Sequence, residues 1–491
     1  MIKSFYFSLI SLLLINILTA QEKPNILFIF ADDQTFESLG SINNAEVKTP
    51  NLDRLTEQGL LFTHAFNQGA WTPAVCVSSR LMLNTGSFLW KAARYNTNAE
   101  KILKKYSFGE PLMKIEDENP ETYWSLLMKK AGYETYMAGK WHVNIAADKI
   151  FDHTAHIRPG MPKQSKARYR RKFIEGEADI WTPYDTAFGG YWQGGKHWSE
   201  VLGDDALNFI NETKNRETPF FMYLAFNAPH DPRQSPKRFV DMYPVENISI
   251  PKSLLPEYPY NEAAGCGRKL RDERLAPFPR TEYAVKVNRQ EYYAIITHLD
   301  EQIGRILDAL DKSAKRENTY IFFTADHGLA LGDHGFIGKQ NLYDRSIRVP
   351  LIIVGPGIPQ NKKNDELVYL QDIMATALDI AGIDKPAQVD FHSLLPLTKG
   401  EAQSSAYSAV YGAYLNRQRM VRTKDFKLII YPSIAKARLY NIKTDPDELH
   451  DLAGNPDYEG IMKELFKKLS ALQEDVGDRQ DLTKVYQKYT R

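Results

Sequence analysis

The 491-residue sequence predicts an α/β protein in which helices cover both faces of a large, mostly parallel sheet. Short, nearly continuous apolar runs recur along the chain, and such runs are typical of strands that are buried on both faces. Segments with helical apolar periodicity separate the runs, as the alternation of an α/β fold requires. The predicted strands are NILFIF (25–30), ETYMAG (134–139), FFMYLAF (220–226), TYIFFTA (319–325) and LIIVG (351–355).

Two segments carry the clearest helix patterns. Residues 289–312 place one apolar stripe at helical spacing. The stripe consists of Tyr292, Ile295, Ile296, Leu299, Ile303, Ile306 and Leu310. In the second segment, WTPAVCVSSRLMLNTG, Thr72 and Pro73 suit the start of a helix, and Gly86 lies just past its end. The sequence therefore predicts a helix that begins close to Cys76.

The sequence pattern changes beyond about residue 400, where short strand-like segments follow one another. These pieces are SAVYGAY, RMVRT, FKLIIY and RLYNI, and a polar helix is predicted from about 457 to 475. We expect a main unit over 21–400 and a C-terminal unit over 401–491 that combines a small antiparallel sheet with a helix. Two long loops, 145–200 and 245–285, are predicted to carry specificity.

Residues 1–20 have the features of a signal peptide. Lys3 precedes the apolar run FYFSLISLLLINIL, and the small-residue ending LTA stands before Gln21. The run is too short to span a bilayer, and no later segment is long enough. The residue directly after the cleavage site is not a cysteine that could carry a lipid anchor. We therefore expect an exported protein, periplasmic or secreted, without a membrane anchor. The formal net charge of +1 argues against nucleic-acid binding.

Acidic, imidazole and ammonium side chains follow four of the predicted strands. Ligands bind at the carboxyl ends of the strands in an open α/β sheet, so these side chains are expected at one edge. They are Asp32, Asp33, Lys140, His142, Asn227, His230, Asp326 and His327.

The acidic members of this set predict a cation site. Asp32 and Asp33 repel each other, and a cation between them and Asp326 would keep them ionised. Mostly oxygen ligands favour Ca²⁺ or Mg²⁺ over zinc, although the imidazole of His327 is a poor calcium ligand. The alternative is that either pair caps a helix or a turn. Because both pairs end an apolar strand, we favour the cation site.

Cys76 and Cys266 are the only two cysteines of the chain. One interpretation is a disulfide formed in an oxidising compartment, or an inert buried thiol. A helix start, however, has a positive dipole end that would acidify Cys76, and Arg80 lies four residues on, on the same helix face. A nucleophile beside a fixed guanidinium is an arrangement that can bind an oxyanion.

Several motifs occur in one order along nearly the whole chain beyond the signal peptide. They are PNILFIFADDQ, TPNLDRLTEQGLLFTHAF, CVSSRLMLNTG, GYETYMAGKWH, NAPHDP, TADHGLALGDHGFIGKQNLYDRSIRVPLIIVGPG and RLYNIKTDPDELHDLA. In these motifs the chain resembles the formylglycine-dependent (type I) sulfatases of the alkaline phosphatase superfamily. The ordered set is far more specific than any one motif.

The resemblance implies that Cys76 is oxidised to formylglycine (3-oxoalanine), whose hydrated aldehyde supplies the nucleophilic oxygen in that family. Arg80 matches the residue that steadies it. A formylglycine-generating maturation enzyme is then a required partner. The family signature has proline, or sometimes alanine, two places after the cysteine, whereas this chain has Ser78. Conversion of Cys76 therefore depends on a maturation enzyme that tolerates a small residue at that position.

The resemblance also assigns the remaining polar residues of the strand-end set. One calcium ion would be held by Asp32, Asp33, Asp326 and His327. The family often has Asn or Gln at the last of these positions, though His occurs in some members. The residues that hold the sulfate oxygens are matched by Lys140, His142, His230 and Lys339. Of these, His230 and Lys339 are favoured as donors of a proton to the leaving alcohol.

The function implied by the resemblance is that of an exported sulfuric ester hydrolase, a sulfatase. Its expected substrate is a sulfated polysaccharide or its oligosaccharides, with algal polymers such as ulvan or carrageenan as examples. One alternative is a phosphodiesterase or phosphonate hydrolase of the same superfamily. The other is a non-catalytic sulfoglycan-binding paralogue in which Cys76 stays unconverted. The sequence leaves the exact sugar and the oligomeric state open.

Other polar residues have simpler interpretations. His64, His298 and His450 lie outside the strand-end set and are expected to pack in the core or lie at the surface. Asp333 and His334 lie near the predicted site, and their role is left open between supporting the site and contacting substrate.

The loop 145–200 holds a basic run and a group of rings. The run PKQSKARYRRK is expected to be a solvated helix face or loop, with contact to a polyanionic chain as the alternative. The rings either form a wall on which sugars stack or pack in the core. They belong to Trp181, Tyr184, Tyr191, Trp192, His197 and Trp198.

Overall fold

The computed structural model describes residues 23–490, apart from 97, 99, 100, 102–104, 106–121 and 164. The predicted signal peptide therefore lies outside the described residues. Among the helices that are described, none has both the length and the apolar character needed to cross a membrane.

The strands of the described chain are numbered in sequence order. They are β1 (Asn25–Asp32), β2 (Leu60–Phe66), β3 (Gly69–Ala70), β4 (Glu134–Lys140), β5 (His153–Arg158), β6 (Trp192–Gln193), β7 (Lys196–His197), β8 (Phe220–Pro229), β9 (Thr319–Ala325), β10 (Arg348–Val354), β11 (Lys362–Asn364), β12 (Val368–Tyr369), β13 (Val410–Tyr414), β14 (Gln418–Arg422), β15 (Phe426–Tyr431) and β16 (Lys436–Asn441).

The α-helices that the structure describes are numbered in the same way. They are α1 (Pro50–Gln58), α2 (Val75–Thr85), α3 (Leu89–Ala92), α4 (Trp124–Lys130), α5 (Trp198–Thr213), α6 (Lys237–Val240), α7 (Asn261–Ala264), α8 (Glu282–Asp311), α9 (Asp344–Ile347), α10 (Asp372–Ile380), α11 (Leu395–Thr398), α12 (Glu459–Val476) and α13 (Thr483–Tyr489).

The central sheet has the strand order β11-β2-β10-β9-β1-β8-β4-β5, and β12 also pairs with β2. The strands β9, β1, β8, β4 and β5 all pair in parallel, so their carboxyl ends lie at one edge. This confirms the predicted α/β class and its mostly parallel sheet. One of the predicted strands departs from the parallel pattern, because β10 pairs antiparallel with both β9 and β2.

Both faces of the central sheet are covered. Residues Ile26 to Ala31 of β1 are all 0% exposed, and successive side chains of a strand point to opposite faces, so neither face meets solvent there. On one face, the ring of Trp124 in α4 lies 5.2 Å from the ring of Phe28 and 4.7 Å from that of Phe221. Helices α5 and α8 pack on each other and on β8. The continuous apolar runs therefore reflect burial on two sides.

The second sheet has the order β16-β15-β14-β13-β3. The strands β13 to β16 form the predicted antiparallel meander, and α12 packs against it. The short strand β3 pairs in parallel with β13, so this sheet includes residues from far upstream. A Cβ on Gly69 would lie 1.9 Å from the carbonyl oxygen of Ala413, so this close approach requires glycine. Because α2 follows β3 closely, the second sheet helps to hold the start of α2.

Candidate active site

The polar side chains predicted at strand ends lie together at one edge of the central sheet. The strands β9, β1, β8 and β4 are consecutive neighbours, and each ends at this edge. Asp32 ends β1 and Lys140 ends β4, while His230 and Asp326 directly follow β8 and β9. The other members come from the loops that follow β1, β4 and β9 and from α2.

A compact acidic cluster lies at the centre of this edge. One ligand atom from each of Asp32, Asp33, Asp326 and His327 lies within 4.8 Å of the others, and all four residues are buried. His327 Nε2 lies 3.0 Å from Asp33 Oδ1 and 3.7 Å from Asp326 Oδ1. The backbone N–H of Asp33 donates to Asp326 Oδ1 at 3.1 Å. Asp33 itself has a φ of 69°, a backbone conformation that is uncommon for a residue other than glycine.

Three cationic side chains surround the carboxylates. Arg80 Nε donates to Asp326 Oδ2 at 3.0 Å, and Arg80 Nη1 donates to the carbonyl oxygen of Lys140 at 2.7 Å. The ammonium of Lys140 donates to Asp32 Oδ2. Lys339 Nζ lies 2.8 and 2.9 Å from the two carboxylate oxygens of Asp33.

The pKa values show that the cluster favours positive charge beside its carboxylates. Burial alone would raise the pKa of Asp33, but the charges of His230 and Lys339 outweigh it and hold the pKa well below its usual value. Burial would lower the pKa of His327, yet Asp33 and Asp326 raise it to about 10. Burial, with Asp326, raises the pKa of Asp32 to about 7. Asp32 Oδ1 is buried and has no hydrogen-bond partner.

Cys76 lies in the first turn of α2, which begins at Val75 and ends before Gly86 at a φ of 67°. Its Sγ lies 3.2 Å from His142 Nδ1, and only 3% of the residue is exposed. Burial would raise the pKa of the thiol, but Lys140, His142 and Lys339 together lower it well below its usual value. Residue 76 is therefore held in a position that stabilises an anion.

The disulfide interpretation is wrong, because Cys76 and Cys266 are both buried free thiols. Cys266 Sγ donates to the carbonyl oxygen of Gln340 at 2.8 Å. Burial raises the pKa of Cys266 well above its usual value, so this cysteine is an inert member of the core.

His230 has a defined orientation. Its Nδ1 lies 2.7 Å from the carbonyl oxygen of Asp231, which can only accept, so Nδ1 carries a proton. Its Nε2 lies 3.8 Å from Asp33 Oδ2 and faces the cluster. The structure adds Asp231 to the predicted set, since its Oδ1 lies 2.9 Å from the same Nδ1. The only sequence signal for Asp231 is that it directly follows His230.

A cleft of about 570 Å³ opens beside His142 and the first turn of α2. The sequence contained no signal for most of its lining, because the residues come from four separate segments. Gly160 packs against the imidazole of His142, and a Cβ there would lie 2.5 Å from the ring. The close approach of this backbone fixes the ring at the boundary between Cys76 and the cleft.

The remaining polar residues lie outside the cluster. His64 is half-buried, His298 is buried and His450 is exposed, as expected for packing and surface residues. The ring of His334 stacks on Tyr343 at 3.7 Å. Asp333 accepts from Ser253 at 2.8 Å, so both residues support the loop after β9.

The prediction of a solvated basic run is wrong for two of its arginines. Arg168 and Arg171 are buried and form ion pairs with Glu291 of α8, at 3.1 and 2.6 Å. Their guanidinium groups lie over the ring of Trp181, at 4.7 and 5.0 Å from its centroid.

Core packing also accounts for part of the aromatic group. Trp181, Tyr191 and His197 are buried, so they cannot form a wall for sugars, whereas Tyr184 is exposed and Trp198 is half-buried. The insertion is therefore anchored by a buried cluster of charge and rings.

Residues 24–383 match the family model of sulfatases. The chain belongs to the sulfatase family. Residues 332–475 also match the model described as the C-terminal region of N-sulphoglucosamine sulphohydrolase, which includes most of the second sheet. The protein is thus a sulfuric ester hydrolase of the alkaline-phosphatase-like superfamily, as its sequence predicts.

Relatives and solved structures match this sulfatase over most of its length. An N-acetylglucosamine-6-O-sulfatase of Bacteroides thetaiotaomicron is 25% identical over 93% of this chain and 87% of its own length. A protein solved in complex with its substrate, D-glucosamine-2-N,6-O-disulfate, superposes with a TM-score of 0.71 at 24% identity, covering 94% of this chain and 99% of its own. A phosphonate monoester hydrolase of Agrobacterium radiobacter superposes with a TM-score of 0.69 at 22% identity, covering 92% and 96%.

Proposed function

We propose that this sulfatase is exported and hydrolyses sulfate esters of a sulfated polysaccharide or its oligosaccharides, with residue 76 acting as formylglycine beside one calcium ion. The observation that carries the proposal is the position of Cys76. It lies at the start of a buried helix, next to His142 and within the field of Lys140 and Lys339. A small nucleophile surrounded by fixed cations suits an anionic ester rather than a neutral one.

The donor set of the acidic cluster fits a hard divalent cation. Three carboxylates supply oxygen ligands, and the buried, unpartnered Asp32 Oδ1 is available for a further bond. When His327 is a neutral metal ligand, the ionised Asp32, Asp33 and Asp326 balance the charges of Arg80, Lys140 and Lys339. A divalent ion therefore leaves a net positive site for a sulfate ester. When bound, calcium would polarise the sulfuryl group and offset the negative charge that develops on its oxygens. The residues that would hold it are Asp32, Asp33, Asp326 and His327.

The protein residues have distinct roles in this proposal. Once converted to formylglycine, residue 76 would supply an oxygen nucleophile for attack on sulfur. Lys140, Lys339 and His142 hold the sulfate oxygens, and Arg80 fixes the position of Asp326 and of the Lys140 backbone. His230 can donate a proton from Nε2 to the leaving alcohol, because its Nδ1 is already hydrogen-bonded to the carbonyl oxygen of Asp231. Lys339 is the second candidate for that proton.

Conversion of Cys76 is a separate and testable part of the proposal. Ser78, which replaces the usual proline, is fully buried in α2, and its hydroxyl has no hydrogen-bond partner. Serine is accommodated inside this helix, so we expect its effect to be on recognition of the chain by the maturation enzyme. Mass spectrometry of the tryptic peptide from native-host protein should show the mass of formylglycine at position 76. An unmodified thiol at position 76 in every molecule would contradict this part of the proposal.

The rival activity is phosphonate or phosphodiester hydrolysis, and one structural neighbour is a phosphonate monoester hydrolase. The three fixed cations would accept a phosphorus oxyanion as well. Initial rates with 4-nitrophenyl sulfate, a panel of sulfated oligosaccharides and 4-nitrophenyl phosphodiesters separate the two. We expect the highest kcat/KM with a sulfate ester. Turnover of phosphodiesters without release of any sulfate would favour the rival.

The substrate class and the location belong to the same proposal. Sulfated sugars are supported by the names of one relative and of one solved complex, and an algal polymer such as ulvan or carrageenan stays a prediction. We propose export by residues 1–20 to the periplasm or the medium. We also propose a catalytic unit over 21–400 and a C-terminal unit over 401–491, into which β3 inserts.

A further inference from the structure

Among the residues described, the lining of the cleft beside His142 has a single arginine and no lysine, aspartate or glutamate. Trp141, Asn96, Asn98 and Ile157 give most of it an apolar and amide character. Arg158, at the end of β5, supplies the charge. Such a lining, with few polar groups on an apolar wall, is typical of a ligand site.

The cleft lies beside residue 76, where it can bind the part of the substrate that extends away from the sulfate group. Ala74 and Val77, on either side of Cys76 in sequence, both line it. His142 also lines it, and its Nδ1 lies 3.2 Å from Cys76 Sγ. A group that is esterified to a sulfate bound at residue 76 therefore lies in this cleft.

Arg158 is held firmly but has no anionic partner. Its Nη1 donates to Gln193 Oε1 at 2.9 Å, and its guanidinium lies 4.1 Å above the ring of Trp198. Within the described chain it makes no ion pair. The nearby carboxylate of Asp205 is bonded to His156 at 2.9 Å. A half-buried cation without a counter-ion is unfavourable, so a bound anion would stabilise it.

We propose that this cleft binds the sugar that carries the scissile sulfate, and that Arg158 binds a second anionic group, a sulfate or a carboxylate, on the same glycan. This inference rests on the proposed function, because it takes the sulfate to be bound at residue 76. A guanidinium held by stacking retains donors directed at a planar or tetrahedral oxyanion. Arg158 would thus select glycans with two anionic groups over glycans with one.

Calorimetric titration of Cys76→Ala protein, which cannot turn over sulfate esters by the proposed route, measures binding alone. Three probes distinguish the source of the second anion: D-glucosamine-6-sulfate, D-glucosamine-2-N,6-O-disulfate and a glucuronyl-N-acetylglucosamine-6-sulfate disaccharide. Adding Arg158→Gln should weaken binding of at least one doubly anionic saccharide about 10-fold or more, because a charge-assisted hydrogen bond is lost. Binding of the monosulfated sugar should change less than about threefold.

Arg170→Gln is the matched control, since Arg170 is an exposed residue of the same insertion outside the cleft lining. It should leave all three affinities unchanged. Equal weakening of every probe by Arg158→Gln, no weakening, or no binding of either doubly anionic probe would overturn the inference. If wild-type protein hydrolyses no sulfate ester but the Arg158 selectivity persists, the proposed function fails while the anion site stands. If wild-type protein hydrolyses a sulfate ester but Arg158→Gln changes no selectivity, the proposed function stands and the anion site fails.

Discussion

Replacing Asp326 by asparagine should remove calcium binding while keeping the shape of the cluster. Both carboxylate oxygens of Asp326 accept from N–H donors, Oδ1 from Asp33 at 3.1 Å and Oδ2 from Arg80 at 3.0 Å. An asparagine has one accepting oxygen, so its amide nitrogen must face one of these donors. The change therefore removes one of three carboxylate charges and one charge-assisted hydrogen bond, at a cost of about 1.5–3 kcal/mol to the metal-free protein.

The effect on the metal is larger than the effect on the fold. Changes to outer partners of a metal ligand weaken binding about 10- to 100-fold, so loss of a direct ligand should weaken it at least about 100-fold. At a calcium concentration 100 times the wild-type Kd, binding adds about 2.7 kcal/mol to the free energy of unfolding. A 100-fold weaker variant gains only about 0.4 kcal/mol at the same concentration.

Urea unfolding with and without calcium measures this difference. Asp300→Asn is the matched control, because the buried Asp300 also accepts through both oxygens, from the N–H groups of Asn51 at 3.0 Å and Leu52 at 2.8 Å. It caps α1 and lies outside the acidic cluster. The control should lose stability but keep the full gain from calcium. If Asp326→Asn keeps the wild-type gain, Asp326 is not a ligand and the assignment of the cluster is refuted.

Three further predictions concern the proton donor, the second sheet and a buried charge. His230→Gln should lower kcat for sulfate release about 10²- to 10⁴-fold with an unchanged unfolding midpoint, and a wild-type rate would exclude His230 as the acid. Gly69→Ala should lower the free energy of unfolding in urea by more than about 2 kcal/mol, because its Cβ meets the Ala413 carbonyl. Gly132→Ala, with open space around it, should lower it by about 1 kcal/mol. Equal losses of stability in the two variants would contradict the clash. Burial raises the pKa of Glu448 from 4.5 to about 7, so its contribution to stability is fully present below about pH 4.5 and is lost as pH rises to about 7. Glu448→Gln should flatten that part of the profile in pH-dependent unfolding, and an unchanged slope would exclude Glu448 as its source.

Much of the site could be predicted because strand ends are visible in the sequence. An apolar run that stops at Asp32, Lys140 or Asp326 marks both a buried strand and the point where it leaves the sheet. The direction of β10 could not be predicted in the same way. A strand buried on both faces has the same apolar pattern whether it runs parallel or antiparallel to its neighbours. The half-exposed edge strand β5 was missed because its sequence, HTAHIR, has no apolar run.

Long-range partners account for the remaining differences. Arg168 and Arg171 belong to a run that has the composition of a solvated segment, but both form ion pairs with Glu291 of α8, and Arg171 also pairs with Asp179. The ring of Trp181 packs on both guanidinium groups. No local pattern shows a partner that lies more than 100 residues away. The cleft lining was missed for the same reason, since Arg158 and His142 come together only when β5 lies beside β4.

The proposed function is tested by release of sulfate from defined sulfated oligosaccharides by protein whose residue 76 is verified as formylglycine. Ion chromatography should detect sulfate from at least one saccharide of the panel. The Cys76→Ala variant should release it at least about 10³-fold more slowly while unfolding at the same urea concentration. Wild-type rates of sulfate release by Cys76→Ala would contradict the assigned nucleophile and with it the proposed mechanism.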